Sequence, residues 1–158
     1  MPFSIQIVTS DSSAYQQLLN TATQLDQARY IIAAPDVAAF SVLLGAFTPE
    51  QCIGFLRFVI QVIGQDEQRP AIIGPHGQAL TEGYVEAFGV LPLYRRQGIG
   101  EALQRFAMDY GRDQHCYQMR SRSPLTSVEN YGLKIKMGYA IHPSHENDSY
   151  YFIKTLEQ

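Results

Sequence analysis

The sequence predicts a single α/β or α+β domain with a mixed sheet. The first observation behind this prediction is that short apolar runs alternate along the chain with segments of helical periodicity. The second is the length of 158 residues, with 46% hydrophobic and 17% charged residues, which is typical of one soluble globular domain. The chain also contains no internal repeat and no low-complexity tract.

The predicted elements follow from periodicity and from the positions of Gly and Pro. Residues 30–38 stay ambiguous because Pro35 interrupts them. In chain order we expect a strand at 3–8, a helix capped by Ser10 or Asp11, a hairpin of 40–47 and 52–63, a loop over 65–83, a strand at 83–90, a helix from 97 to 110, a strand at 116–122, a helix from 124 to 137, and strands at 139–143 and 149–156.

The helix over 97–110 has the clearest apolar face. Its apolar residues recur at spacings of three and four, and Gly111 is well placed as the residue that ends the helix. In the same way, Gly138 is expected to end the helix over 124–137. The residues of the apolar face are Ile99, Ala102, Leu103, Phe106, Ala107 and Tyr110.

Charge is spread unevenly along the chain. Residues 1–89 carry three basic and eight acidic side chains, whereas residues 90–136 carry eight basic and four acidic ones. Because the net charge is −3, the chain is not expected to bind nucleic acid in general. The basic segment suits a small polyanion, and the alternative is a solvated helix face that happens to be basic.

The expected cellular location, the state of the cysteines and the expected absence of a metal all follow from signals that the sequence lacks. It contains no apolar run of about 18 residues and no basic signal region before residue 13, so we expect a cytoplasmic protein without membrane contact. Cys52 and Cys116 are expected to be reduced and independent. Neither cysteine has metal-ligand spacing, and the His-rich loop over 142–148 is a weak metal candidate, so no metal is expected. A catalytic pair of His115 with Cys116 is disfavoured because neighbouring residues on a strand point to opposite faces.

Two glycines at a helix start require an explanation, because glycine is a poor helix former. Gly98 and Gly100 open the helix over 97–110, directly after Arg95 and Arg96. Unpaired amides and the helix dipole at such a start can bind a phosphate, and glycine lets the phosphate approach the backbone. The alternative is that the glycines allow the helix to pack tightly on a strand, and both can hold. Neither G-x-x-x-x-G-K-[ST] nor G-x-G-x-x-G is present.

The segment VLPLYRRQGIGEAL over 90–103 resembles the signature of the GNAT superfamily of N-acyltransferases. In that family [RQ]-x-x-G-x-[GA] opens a helix after a strand and a short loop, and residues 95–100 match it. The ending KIKMGYAI over 134–141 is similar to the family's last helix and the glycine-aromatic pair after it. The resemblance implies a GNAT-like domain over 1–158, with a twisted, mostly antiparallel mixed sheet, helices on both faces and a splayed parallel strand pair.

The resemblance also implies acetyl-CoA as co-substrate. Its diphosphate would sit on the glycine turn of Arg95, Arg96, Gln97, Gly98, Ile99 and Gly100, and its pantetheine would pair with Phe88, Gly89 and Val90 as an added strand. Gly89 could mark a bulge there, or it could be a packing glycine. In the family an Asn commonly lies seven residues before a Tyr of the last helix. Ser127 holds that position here, and Asn130 lies three residues further on, so both are candidate cofactor contacts.

The catalytic candidates are Glu86 and Tyr131. Many family members carry a carboxylate where Glu86 stands, and as a general base it would deprotonate the acceptor amine. A solvated or salt-bridged strand carboxylate is the alternative, and Glu82 could be a second relay or a cation-binding group. The family's usual acid is a Tyr at the position of Lys134, so Tyr131, one turn earlier, is the candidate acid, with a packing role as its alternative.

The function that the resemblance implies is transfer of an acetyl group from acetyl-CoA to a primary amine by direct attack. The acceptor would be a small molecule or a peptide amine. Because Lys134 departs from the family pattern, the acid could differ, the thiolate could leave unassisted, or the protein could be an inactive acyl-CoA sensor or structural module. A donor other than acetyl-CoA is a further alternative. The sequence does not indicate an oligomeric state, and the resemblance adds only that a homodimer is common among similar proteins.

Overall fold

The computed structural model describes residues 2–32, 40–124, 128–144 and 148–156. Helices and strands alternate through these residues much as the sequence predicts. The elements are β1 Ser4–Ile7, α1 Tyr15–Gln24, α2 Ala28–Ile32, β2 Ser41–Phe47, β3 Cys52–Val62, β4 Thr81–Val90, α3 Ile99–Asp113, β5 Gln118–Pro124, α4 Val128–Lys136, β6 Ala140–Pro143 and β7 Ser149–Thr155, with 3₁₀ turns at Gln65–Glu67 and Pro92–Tyr94.

The strands form a mixed sheet in the order β1-β2-β3-β4-β5-β7-β6. Strands β4 and β5 are parallel, whereas the pairs β1–β2, β2–β3, β5–β7 and β6–β7 are antiparallel. The parallel ladder joins Glu82–Val85 to Gln118–Ser121. It ends there although β4 continues to Val90 and β5 to Pro124. The predicted α+β fold with a mixed, mostly antiparallel sheet is confirmed.

The chain divides into two compact units, and β3, β4 and α3 contribute residues to both. Unit 1 comprises Met1–Val59 and Glu86–Phe106. In unit 1 the apolar face of α1 packs into a core with β2 and β3, and the Thr21 hydroxyl donates to the carbonyl of Cys52 at 2.8 Å. The buried residues of this core are Val8, Leu18, Ala22, Ile31, Phe47, Cys52, Phe55 and Ala87.

Unit 2 comprises Ile60–Val85 and Ala107–Gln158. Its helix α4 packs through Tyr131, whose ring contacts those of Tyr150 and Phe152 at centroid distances of 5.8 and 5.2 Å. Met119 and Phe152 are fully buried in unit 2. A polar network involving Glu82 and Arg120 is also buried here, and it is described with the site.

Two predicted helix starts are wrong. Helix α1 begins at Tyr15 rather than after Ser10 or Asp11, because Thr9 bonds the Asp11 carboxylate and the chain turns before the helix forms. Helix α4 begins at Val128, since Pro124 is still the last residue of β5.

Gly111 lies inside α3 rather than after it. A Cβ at Gly111 would lie 3.0 Å from the Cδ1 of Leu156, which is a tight packing contact. The left-handed residue after α3 is His115, with φ of 60°. Part of the ambiguous stretch 30–38 belongs to the short helix α2, and its remainder lies outside the described residues.

Candidate functional site

The glycine turn lies in unit 1, between a 3₁₀ turn and α3. Two of its residues have left-handed backbone, Arg96 with φ of 63° and Gly98 with φ of 82°. The Arg95 Nε donates to the carbonyl of Val90 at 3.0 Å, which fixes the start of the turn to the end of β4. Because the first amides of an α-helix have no partner within the helix, those at the start of α3 are available to an anion.

The surroundings of Gly98 distinguish between the two explanations for the glycines, which are phosphate approach and tight packing on a strand. A Cβ added there would meet no protein atom within 4 Å, so packing against a strand does not explain this residue. What disfavours a side chain at Gly98 is its left-handed φ, which glycine adopts without strain. The next residue, Ile99, is buried and anchors the first turn of α3.

The surface of the turn is exposed and cationic. Arg95, Arg96, Gln97 and Gly98 are all exposed, whereas Gly100 is half-buried. Guanidinium groups beside free amides suit a phosphate, since each can donate two hydrogen bonds to its oxygens. The turn therefore has the hydrogen-bond donors that a diphosphate needs, on a surface that a diphosphate can reach.

The end of β4 carries the backbone predicted to pair with pantetheine. Side chains bond two of its carbonyls, because Gln27 donates to Phe88 at 3.1 Å and Arg95 donates to Val90. A Cβ at Gly89 would lie 2.7 Å from the side chain of Leu25, which favours the packing explanation for this glycine.

Glu86 lies on β4 in unit 1, and its side chain is 35% exposed. The buried guanidinium of Arg57 lies 4.0 Å from its carboxylate. Arg57 is held by the carbonyl of Tyr30 at 2.6 Å and by the hydroxyl of Ser41 at 2.8 Å. Burial lowers the pKa of Arg57, and Glu86 opposes that shift. Glu86 is therefore a partly exposed strand carboxylate beside a buried guanidinium.

Glu82, the weaker carboxylate candidate, is fully buried in unit 2. Arg120 donates to both of its oxygens, at 3.0 and 2.8 Å, and Gln61, Gln118 and the Gly64 amide donate as well. Burial alone would raise the pKa of Glu82, but these hydrogen bonds outweigh it and the pKa is lowered. Glu82 is therefore one half of a buried ion pair with Arg120.

Arg120 is the charged residue that the sequence analysis missed. Its guanidinium lies between the rings of Tyr84 and Tyr151, at 4.4 and 4.8 Å, and it also pairs with Asp66. The Tyr151 hydroxyl donates to Glu67 of the same loop. The network therefore ties the loop after β3 to β4, β5 and β7. Residues i and i+2 of a strand lie on one face, so the spacing of Glu82 and Tyr84 on β4 was a signal in the sequence. The sequence did not show which strand pairs with β4 and brings Arg120 to them.

Tyr131 and Asn130 lie on α4 in unit 2, and Ser127 lies outside the described residues. The Tyr131 hydroxyl donates to the carbonyl of Pro124 at 2.9 Å. Burial raises the pKa of Tyr131, with a contribution from Tyr150. The Asn130 amide donates to the hydroxyl of Ser123 at 2.7 Å.

Lys134, at the position where the resemblance expects an acid, is buried with 1% exposure. Its ammonium lies 4.3 Å from the centre of the Tyr139 ring, and its Nζ has no hydrogen-bond partner among the described residues. Burial lowers the pKa of Lys134 to about 7. A lysine in this state can hold or release a proton near neutral pH.

Comparison with known sequences decides the family. The sequence model of the acetyltransferase (GNAT) family matches residues 6–124, which is most of the chain. This chain belongs to the GNAT acetyltransferase family. A search of curated proteins finds no match to the sequence.

Solved GNAT structures share the fold at low sequence identity. Arabidopsis thaliana NAA60 in complex with acetyl-CoA has a TM-score of 0.76 and 17% identity, over 98% of this chain and 99% of its own. The Escherichia coli ribosomal-protein-S18-alanine N-acetyltransferase has a TM-score of 0.65 and 13% identity, over 99% and 96%. An aminoglycoside 6'-N-acetyltransferase complexed with coenzyme A has a TM-score of 0.69 and 11% identity, over 98% of both chains.

No group of three or more His, Cys, Asp or Glu side chains among residues 2–32, 40–124, 128–144 and 148–156 is placed to hold a metal. In the same part of the chain, no helix has the length and apolar character needed to cross a bilayer. A cavity of about 400 Å³ in unit 2 contains none of the predicted site residues and is lined by Arg112, Gly138, Ala140, Ile153, Lys154 and Thr155.

Proposed function

We propose that this GNAT protein is an acetyl-CoA-dependent N-acetyltransferase that works as one domain over 1–158. The observation that carries the proposal is the exposed glycine turn at the start of α3, where Gly98 is left-handed and its missing Cβ leaves open space. A diphosphate would accept hydrogen bonds from the amides around Ile99 and from Arg95 and Arg96. Acetyl-CoA, which NAA60 binds in its solved complex, carries such a diphosphate.

The backbone of Phe88, Gly89 and Val90 would hold the pantetheine. The bonds that Gln27 and Arg95 now make to this backbone come from side chains, which can move aside for a ligand more easily than a strand can. Exchange of these bonds for bonds to the pantetheine amides would keep the β4 carbonyls satisfied. Asn130 and Ser127 stay predicted cofactor contacts.

The acceptor would be a primary amine on a small molecule or a peptide. The solved relatives include enzymes whose names specify a protein alanine and an aminoglycoside, so the family takes amines of both kinds. Glu86 would accept the proton of the attacking amine, directly or through water. Its partial exposure gives water access to the carboxylate, and the buried guanidinium of Arg57 lies 4.0 Å from it.

Tyr131 is a weaker candidate for the proton donor than the sequence suggested. Its hydroxyl would first have to leave the carbonyl of Pro124, and its ring is engaged with Phe152. Cytoplasmic location, a homodimer, and the absence of nucleic-acid and membrane partners stay predictions from the sequence.

Release of the free CoA thiol from acetyl-CoA with a panel of primary amines tests the proposal. We expect amine-dependent release by the wild type, and a large loss in Glu86→Gln with the affinity for acetyl-CoA unchanged. The loss should be on the order of 100-fold if Glu86 is a general base. Tight acetyl-CoA binding without release for any amine would instead identify an inactive sensor, and competition among acyl-CoAs would reveal a different donor.

A further inference from the structure

Two glutamates of β4 have opposite surroundings. Glu82 and Glu86 are four residues apart, and alternate residues of a strand lie on one face. The buried carboxylate of Glu82 accepts hydrogen bonds from side chains of β3 and β5 and from the Gly64 amide. The carboxylate of Glu86 accepts none from the described residues, because the guanidinium of Arg57 stays 4.0 Å away. Glu82 is therefore saturated, whereas Glu86 is open to a proton.

Arg120 lies midway between the two glutamates along the strand direction. On β5 it is the register partner of Tyr84, which is two residues from Glu82 and two from Glu86. Two strand residues span about 7 Å, a distance that the long side chain of an arginine can cover. The groups packed around the guanidinium therefore decide which of the two carboxylates it binds.

Those groups hold Arg120 on Glu82. Its Nε and Nη2 donate to the two oxygens of Glu82 at 3.0 and 2.8 Å, and Nη2 also donates to Asp66 on the loop after β3. The rings of Tyr84 and Tyr151 cover the guanidinium at 4.4 and 4.8 Å. Burial opposes the ionisation of Glu82, but its hydrogen bonds outweigh burial and lower its pKa. Glu82 thus stays charged at neutral pH and keeps its hold on Arg120.

The other arginine on this face of β5 also has its own partners. Arg122 follows Arg120 by two residues, and its Nε donates to the hydroxyl of Ser149 at 2.8 Å. Its Nη2 donates to Asp148 at 3.2 Å. Among the described residues, Arg57 is thus the one arginine that forms an ion pair with Glu86.

We propose that Glu82 is a positioning residue, which holds Arg120 and so leaves the Glu86 carboxylate free to take the proton of the acceptor amine. This inference rests on the proposed function. In the step, the amine nitrogen bonds to the carbonyl carbon of the thioester and the carbon–sulfur bond breaks. The electron pair goes to sulfur, which takes a proton from solvent, and the proton of the nitrogen goes to Glu86. A carboxylate that already binds a guanidinium is a weaker base, so capture by Arg120 would slow this step.

Glu82→Gln tests the proposal in the full-length protein, because it removes the charge that holds Arg120. We expect kcat to fall on the order of tenfold, with the KM for acetyl-CoA little changed, since the loss is in proton transfer. Asp66→Asn is the matched control. It removes the other carboxylate that binds Arg120 but leaves Glu82 in place, so it should keep the wild-type kcat.

A second substitution separates positioning from support of the fold. Arg120→Gln in the Glu82→Gln background removes the cation that would capture Glu86, so this double variant should recover most of the lost kcat. It has no unpaired buried charge at this site, so it should fold even where Glu82→Gln does not. Rates are compared for equal amounts of folded protein, measured by circular dichroism. A folded double variant whose kcat stays as low as that of Glu82→Gln, or tenfold below the wild type, overturns the proposal.

A crystal structure of Glu82→Gln gives a readout that does not depend on turnover. We expect the guanidinium of Arg120 within hydrogen-bond distance of the Glu86 carboxylate. A guanidinium that keeps its place between the rings of Tyr84 and Tyr151 would overturn the proposal. Absence of amine-dependent CoA release by the wild type would instead overturn the proposed function, while the crystal structure still reports where Arg120 binds, so the two failures are distinguishable.

Discussion

Replacing Lys134 by Met should change how the stability of the fold depends on pH. In the folded state burial lowers the pKa of Lys134 from 10.5 to about 7. An unfolded chain returns the side chain to water, where it binds its proton up to the higher value. Between these two values the folded state therefore binds fewer protons than the unfolded state, and the free energy of unfolding must rise with pH. Met has a similar length, fills the same space and does not titrate.

The size of the effect follows from the two pKa values. At low pH both states are protonated, and the burial of the charge costs about 5 kcal/mol at 1.36 kcal/mol for each pKa unit. Between pH 7 and pH 9 the group contributes an increase in the free energy of unfolding of about 2 kcal/mol. Lys134→Met should lack this increase and should be the more stable protein at pH 7, by up to about 4 kcal/mol.

Urea unfolding at several pH values, followed by circular dichroism, measures the effect. The quantity to compare is the difference between the wild type and each variant, since contributions from other titrating groups cancel in it. The exposed Lys136→Met control should keep the wild-type pH dependence. If Lys134→Met shows the same rise between pH 7 and pH 9 as the wild type, Lys134 is not a buried, neutralised lysine and the reasoning fails.

Three further changes have expected outcomes. Gly98→Ala forces a residue with a Cβ into left-handed backbone, so it should lower the free energy of unfolding by about 1 kcal/mol and weaken acetyl-CoA binding. The control Gly132→Ala, in helical backbone with equally open space, should have neither effect. Equal affinities of the two variants for acetyl-CoA in calorimetry would refute the role of the turn. Glu82→Gln removes the fully buried counter-charge of Arg120 and leaves only the partly exposed Asp66, so it should cost about 3 kcal/mol above pH 4.5. This difference should shrink as the pH falls through the lowered pKa of Glu82, and denaturation curves that superpose with the wild type would contradict the prediction. Thr21→Val removes the hydroxyl that donates to the carbonyl of Cys52 on β3, so it should lower the free energy of unfolding by about 1 kcal/mol. An unchanged free energy of unfolding in the denaturation assay would contradict this prediction.

The sequence predicted those parts of the fold that depend on local periodicity. The face of α3 is an example, because Ile99, Leu103 and Ala107 are buried at their expected spacing. The predicted helix boundaries were less accurate where side chains hydrogen-bond each other instead of capping the helix backbone. The turn before α1 forms because Thr9 and Asp11 bond each other, which a search for an N-cap does not detect.

The polar interior could not be predicted in the same way. Arg120 is one basic residue in a basic segment, and only the parallel pairing of β4 with β5 brings it to Glu82. Arg57 did leave a signal, as the one charge within an otherwise apolar run over 52–63, but its proximity to Glu86 depends on the sheet. The burial of Lys134 depends on tertiary packing, because a lysine near a helix end is ordinarily solvated.

Titration calorimetry with CoA and with pantetheine tests the central claim most directly, which is that the glycine turn around Gly98 binds a diphosphate. Both molecules carry the thiol arm, but only CoA carries the diphosphate. We predict saturable binding of CoA by the wild type and binding of pantetheine that is weaker by at least tenfold. Absence of saturation with CoA at millimolar concentration, or equal affinity for the two molecules, would contradict the account.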